Sequence, residues 1–451
     1  MGARSREQAV FPVERQSSTL RAPDGPLIST PAGCANLLAR HYAAVSAQPP
    51  IDAAARAEVL AALDGGTQPT EEEAAELGTA VVTAAQVAKA VRRSRPRRAP
   101  GGDGLPLALF KHAALRPIFY PLLARIFSAM GAEGRPPAGF LDGVISVIHK
   151  AGDRSAPINY RHITLPNTDY RLLANLLADR LAPLLPRLID PEQTGFIRDR
   201  CIGENIHLLH HLPRLLEQQG RWAAAVCLDI AKAYDTVDRE FLLAAIERLG
   251  LGTGFVAWCR LILSATRARA RVAGHLSSVA AFRAGVRHGC PLAPLLYLFV
   301  ALALLCLLKR HNFGVRAGGQ RITASQFADD CNVLLEAPSL QGLETEVQRF
   351  LAVMDLFRRA TSQALSVPKT VLLLLGALPS ELQPEASPAA IAGIRVVWEA
   401  RVLGVKLCAG LAELVVDWDA RLQRVRGPGP VSFWACFRQQ WLRHQPASFP
   451  S

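Results

Sequence analysis

Phe327-Ala328-Asp329-Asp330 lies between the apolar runs Ile322 to Gln326 and Cys331 to Leu335, a pattern that places two adjacent carboxylates at the tip of a β-hairpin. Two ionised carboxylates side by side repel unless a cation joins them. A pair of divalent ions held this way activates an attacking hydroxyl and stabilises the leaving oxygen of a phosphoryl transfer. A plain acidic hairpin turn is the alternative, and a third carboxylate decides between them. Asp229 ends Ala223-Ala224-Ala225-Val226-Cys227-Leu228, a short apolar run of the kind that forms a strand buried on both faces. Neighbouring strands lie about 4.8 Å apart, so carboxylates at the ends of adjacent strands reach one metal pair.

The residues around these carboxylates extend the pattern. Leu228-Asp229-Ile230-Ala231-Lys232-Ala233-Tyr234-Asp235, then Gly285-Val286-Arg287-His288-Gly289-Cys290-Pro291-Leu292, then the Asp-Asp hairpin, resemble motifs A, B and C of the reverse transcriptases of non-LTR retrotransposons, the long interspersed element type. The resemblance runs over roughly residues 85 to 410. Arg98-Ala99-Pro100-Gly101-Gly102-Asp103-Gly104 resembles the turn near the start of such domains, and Val144 to Asp153 with Asn159 to Leu165 resemble the two fingers strands. Pro191-Glu192-Gln193-Thr194-Gly195-Phe196-Ile197-Arg198-Asp199-Arg200 is similar to the template-handling segment. Ser366-Val367-Pro368-Lys369-Thr370 is similar to motif D and Val402-Leu403-Gly404-Val405 to motif E, the primer grip.

What the resemblance implies is an α+β right-hand polymerase fold with fingers, palm, a partial thumb and a small antiparallel palm sheet. It implies an RNA-directed DNA polymerase that adds dNTPs to a primer 3′-OH through two Mg2+ ions, or Mn2+ in their place, held by Asp229, Asp329 and Asp330. Lys369 protonates the departing pyrophosphate. Lys150 and Arg161 grip the triphosphate, a point charge and a planar fork that complement each other on phosphate oxygens. Tyr234 is placed as a steric gate against the ribose 2′-OH, with His288 and Gly289 beside the nucleotide. Gln193, Gly195, Arg200, Leu403 and Gly404 are the expected nucleic-acid contacts. The implied partners are an RNA template, a DNA primer or nicked target, and dNTPs.

Simpler roles compete at several positions. Asp235 reads as a helix N-cap, with Asp238 and Glu240 favouring the positive helix start, and is left out of the metal site. Tyr234 alone could be a core aromatic, but the 2′-OH is the one handle that tells the two sugars apart, and this favours the gate. Lys369 alone would be a solvated lysine; its place after motif C raises it. The sequence also departs from the family pattern: His288 stands where Gln is usual, Ala293 for Ser, Phe327 for Tyr, His162 for Pro, and Ser362-Gln363-Ala364-Leu365 for a Ser-Gly-Leu turn. A catalytically decayed nucleic-acid-binding relic of the same fold is therefore the alternative function.

Pro291 to Leu308 carries no charge and is followed by Lys309-Arg310, a membrane-span candidate by length. Pro291 and Pro294 and the overlap with motif B favour instead a helix buried under the palm. The 51 Lys and Arg against 38 Asp and Glu give a formal charge of +13, suited to phosphate backbones, and Arg92 to Arg98 is a dense basic patch. Nine cysteines occur singly, with no Cys-x-x-Cys, which excludes a zinc ribbon or disulfide framework and fits an intracellular setting, nucleus or cytoplasm, rather than secretion. Residues 1–80, rich in Ala, Pro and Ser with an acidic Glu71-Glu72-Glu73 run, are expected to be of unknown role and partly disordered. Residues 81–407 hold the fingers and palm, opening with a helix capped by Thr83 and Gln86, and residues 408–451 a partial thumb or tail. No endonuclease or Cys/His knuckle is found, as expected of an excised polymerase segment.

Overall fold

The computed structural model describes residues 19–408 except 23–24, 48–49 and 96–98. The architecture is α+β, with helices packed around two larger sheets and three two-stranded ones among the described residues. At its centre is Trp222–Leu228, flanked on one side by Asp330–Leu335 and on the other by Val371–Gly376. Alanines and valine fill this strand, and nearly every residue in it is buried, as a run sandwiched between two neighbours and covered on both faces requires. The full order is Ala324–Phe327, Asp330–Leu335, Trp222–Leu228, Val371–Gly376, Ile394–Val397, Ala390–Ile391. The sheet is larger than the small antiparallel one expected, and not wholly antiparallel: Val371–Gly376 and Ile394–Val397 pair in parallel.

A second sheet pairs Asp142–His149 with Tyr160–Pro166 antiparallel and with Arg267–Val272 in parallel. The apolar helix Ala293–Arg310 is long and apolar enough to cross a membrane, but most of it is buried among protein. It contacts the helices Arg239–Arg248 and Leu340–Thr361, so its hydrophobicity is that of a core element.

The described helices before residue 81 pack against the rest of the fold. Helix Pro31–Val45 lies on Arg267–Val272, helix Ala53–Ala61 on Leu340–Thr361, and helix Glu71–Gly78 on Thr253–Leu263. The acidic run is a helix start: Thr70 and Glu73 form a capping box there, and the three glutamates complement the positive end of the helix. Thr83 and Gln86 form the expected box at the head of Ala84–Arg93. The basic patch falls partly, and residues 409–451 wholly, outside the described residues.

Candidate active site

The sheet register positions the carboxylates. Phe327 pairs with Asp330 across the hairpin, leaving Ala328-Asp329 as a two-residue turn, and Cys331 faces Leu228 on the central strand. One step further along that ladder Asp330 faces Asp229, with Asp329 at the turn between. The sheet packed beneath Asp330 raises its carboxyl, and the charges of Asp329 and Asp229 raise it further. Three carboxylates gathered at one sheet edge, with Asp330 raised by the other two, form a donor set suited to divalent cations. Lys369 reaches the same point, its Nζ 3.6 Å from Asp229 Oδ2, while remaining largely exposed.

Positive charge faces this acidic edge. Lys150 follows Asp142–His149, and Arg161 lies in the paired strand Tyr160–Pro166. The Lys150 ammonium is held below its usual range, first by burial and then by the charges of Arg161 and Lys369, with Asp235 and Asp229 opposing. Three cations that crowd one another next to carboxylates favour a polyanion that brings its own metal.

The turn itself is strained and braced. Ala328 has φ 58°, a left-handed conformation that costs a non-glycine residue about 1–2 kcal/mol. Its N–H donates to Gln193 Oε1 at 2.8 Å and its carbonyl accepts from Gln193 Nε2 at 3.1 Å. Gln193 is 1% exposed, and its side chain, expected to meet nucleic acid, faces inward onto this turn. Arg200, half-buried, is also engaged within the chain. Its guanidinium donates to the backbone carbonyls of Pro186, Ile189, Asp190 and Gln193. Gly195 is buried, and a Cβ there would sit 2.4 Å from Ala328 N, so it serves close approach to the turn rather than a nucleic-acid contact. Leu403 and Gly404 form the tip of the hairpin Glu399–Val402 and Val405–Cys408, both with positive φ.

Motifs A and B are stitched together by backbone. Val286 N–H donates to Tyr234 O and Gly285 N–H to Val237 O. Arg239, at the start of the helix after motif A, holds the loop that leads into motif B through Phe282 O, Ala284 O and Gly285 O. Thr164 N–H donates to His288 O, tying motif B to the second sheet. Gly289, at φ 103°, brings its Cα against Thr164 O, where a Cβ would come to 2.3 Å; its part here is this approach. Tyr234 stacks on buried Tyr297 at 4.8 Å and lies 5.1 Å from the His288 ring. Burial raises its hydroxyl, and Asp329 adds to the rise.

Asp235 is not an N-cap. Asp238 holds that position, with Oδ1 accepting from Phe241 N at 2.6 Å. Asp235 instead turns toward His162 and His288, the nearest carboxylate to both. Burial alone would raise the Asp235 carboxyl, but the His288 hydrogen bond and the charges of His162, His288 and Lys232 outweigh it, and it lies below the usual range. Burial lowers His162 to about 4 despite the opposing pull of Asp235.

An acidic edge shared by strand ends and faced by lysine and arginine is the arrangement that two-metal phosphoryl transfer uses. Residues 148–407 match the family reverse transcriptase (RNA-dependent DNA polymerase), and the chain belongs to it. It is 28% identical over 402 residues to the transposon TX1 uncharacterized 149 kDa protein of Xenopus laevis, covering 88% of this chain and 29% of that one. It is 29% identical over 292 residues to the retrovirus-related Pol polyprotein from type-1 retrotransposable element R2 of Popillia japonica, covering 64% and 39%. To the probable RNA-directed DNA polymerase from transposon BS of Drosophila melanogaster it is 26% identical over 273 residues, covering 60% and 29%. The reverse transcriptase domain is thus of the non-LTR retrotransposon kind, and the chain spans between 29% and 39% of the length of these relatives.

Proposed function

We propose that the chain is an RNA-directed DNA polymerase of right-hand form, with fingers, palm and a partial thumb, that extends a DNA primer or nicked target strand on an RNA template. The observation that carries the reading is the meeting of Asp229, Asp329 and Asp330 at one sheet edge opposite Lys150, Arg161 and Lys369. Asp229, Asp329 and Asp330 would hold two Mg2+ ions, with Mn2+ able to replace them, which when bound supply activation of the 3′-OH and neutralisation of the leaving oxygen. Lys150 and Arg161 bind the triphosphate, the one as a point charge and the other as a fork. Lys369 donates the proton that the departing pyrophosphate takes up. Tyr234 excludes the ribose 2′-OH, and Leu403 and Gly404 contact the primer. Gln193, Gly195 and Arg200 act one layer below, holding the hairpin that presents Asp329.

The polymerase unit takes in helices upstream of residue 81, because Ala53–Ala61 and Glu71–Gly78 are packed into it. An intracellular setting, nucleus or cytoplasm, is supported by nine cysteines that occur singly along the sequence. The test is Mg2+-dependent primer extension on an RNA template beside an Asp329→Asn control. Extension in the parent and none in the control supports the reading. RNA binding without extension in either form, with Mg2+ or Mn2+, overturns it in favour of a decayed relic.

A further inference from the structure

His162, Asp235 and His288 come from three separate segments: the strand Tyr160–Pro166, the four-residue helix Ala233–Thr236, and the loop before Ala293–Arg310. Nε2 of His162 lies 3.4 Å and Nε2 of His288 3.2 Å from the same atom, Asp235 Oδ1. All three ligating atoms lie within 4.8 Å of one another. The two histidines also stand where the sequence departs from the family pattern, His162 for Pro and His288 for Gln. Two departures far apart in the chain therefore meet on one carboxylate, which shared polymerase chemistry does not require.

We propose that His162, Asp235 and His288 form a binding site for a transition metal ion of the Zn2+ class, separate from the carboxylate edge at Asp229, Asp329 and Asp330. The geometry fits that chemistry. Zinc bonds to imidazole nitrogen and carboxylate oxygen run about 2.0–2.2 Å, and tetrahedral coordination then separates ligand atoms by about 3.3–3.5 Å. Octahedral coordination at similar bond lengths would draw them to about 3 Å. The two measured separations lie within about 0.1 Å of the tetrahedral range, and the His162–His288 nitrogen pair, within 4.8 Å, would draw in around the ion. Nitrogen donors select Zn2+, Co2+ or Cu2+ over Mg2+, so the site does not compete for the polymerase ions. The side chains of His162 and Asp235 are 11% and 14% exposed and that of His288 30%, which leaves an approach for the ion, and a fourth ligand such as water, from the His288 side. Tyr42 fixes the His162 ring from behind, centroids 4.3 Å apart. The neighbouring cation, Lys232, lies 3.5 Å from His41 Nε2 rather than on Asp235.

An ion here would join the second sheet to motifs A and B directly behind Tyr234. It would also hold His288 on Asp235 and away from the incoming nucleotide. The metal-site proposal does not depend on polymerase activity and is tested without it.

The full chain, stripped with EDTA, is titrated with Co2+ as a spectroscopic stand-in for Zn2+. The background carries Asp229→Asn and Asp329→Asn to disable the carboxylate edge. It also carries His207→Asn to break the His207 and His211 pair, which stacks at 5.7 Å on one helix and is a second imidazole source. One equivalent of Co2+ with tetrahedral d–d absorption, no thiolate charge-transfer band, displacement by Zn2+ and a raised Tm is the expected result. His288→Gln, His162→Gln and Asp235→Asn should each weaken Co2+ binding by at least about tenfold. His288 lies in a part-exposed loop, so His288→Gln should melt like the metal-free parent and decides the matter if His162→Gln does not fold. Equal Co2+ affinity in parent and His288→Gln, or no tetrahedral absorption in the parent, overturns the proposal and leaves the cluster a hydrogen-bonded trio.

Discussion

Gln193 satisfies both backbone polar groups of Ala328, the residue before the first carboxylate of the hairpin, accepting at 2.8 Å and donating at 3.1 Å. Ala328 is left-handed at a cost of about 1–2 kcal/mol, and two hydrogen bonds worth roughly 1 kcal/mol each offset it. The terms are of similar size, so the orientation of Asp329 depends on a buried side chain from another segment.

Gln193→Ala strands the Ala328 N–H and C=O in a buried place, at about 1–3 kcal/mol each. Primer extension should fall at least tenfold, as ~1.4 kcal/mol of misplacement already implies, while RNA affinity holds. Single-turnover extension and filter binding separate the two. A parallel loss in both would make Gln193 a nucleic-acid contact after all.

Asp229→Asn or Asp329→Asn should eliminate nucleotide addition and leave RNA binding intact, because binding rests on the basic surface. Asp330→Asn should hurt less. Lys369→Ala should lower kcat by about 10²-fold with little change in KM for dNTP, as expected for a lost general acid. A Lys369→Ala enzyme with normal kcat returns Lys369 to the role of a surface partner of Asp229.

Tyr234→Ala should admit ribonucleotides and also destabilise the palm, since the ring stacks on Tyr297; up to about 3 kcal/mol is expected for a partly buried aromatic. Tyr234→Phe keeps the ring and should keep both discrimination and Tm. If dNTP and rNTP are discriminated equally well by the parent and Tyr234→Ala, the ring is core and nothing more.

Acid should unfold the protein early. Burial holds His41 and His162 near about 4, against about 6.5 for a free imidazole. Lys232 lowers His41 further and Asp235 opposes; for His162, Asp235 opposes while His288, Lys232 and His41 add to the lowering. Between the two values the unfolded chain binds more protons, so stability is whole above about pH 6.5 and drains as pH falls toward 4. In EDTA, Tm should drop across that window, and His41→Gln should shrink the drop. An unchanged acid limb in His41→Gln would show that the ring titrates freely in the fold.

The carboxylate edge was legible because charge interrupted apolar runs at the ends of strands, and a strand's end is where a side chain can leave the sheet. Helix Ala84–Arg93 was legible because a capping box is local. Gln193 was not: a polar residue in a loop gives no sign of facing inward, and the need came from the conformation of Ala328 on another segment. Asp235 was misread as a cap because Asp238, three residues on, satisfies the same local rule and took the position. The His162 and His288 meeting is a product of topology, with each residue alone reading as a departure. The packing of helices Pro31–Val45, Ala53–Ala61 and Glu71–Gly78 was hidden by an Ala-rich composition whose buried face is supplied by partners distant in sequence.

Helix Ala293–Arg310 leaves the ribosome before the helix Leu340–Thr361 that packs on it and the strands that complete the central sheet. Roughly 70 residues separate its end from the end of Val371–Gly376, which at roughly 5–20 residues per second is about 4–14 s of synthesis. Through that interval a long apolar helix waits with only part of its surface covered by the earlier helix Arg239–Arg248, with the dimensions that membrane-insertion machinery and chaperones both recognise. Yield of this polymerase should therefore be set by what captures the nascent chain, and slower synthesis at low temperature should help only where chaperones keep pace.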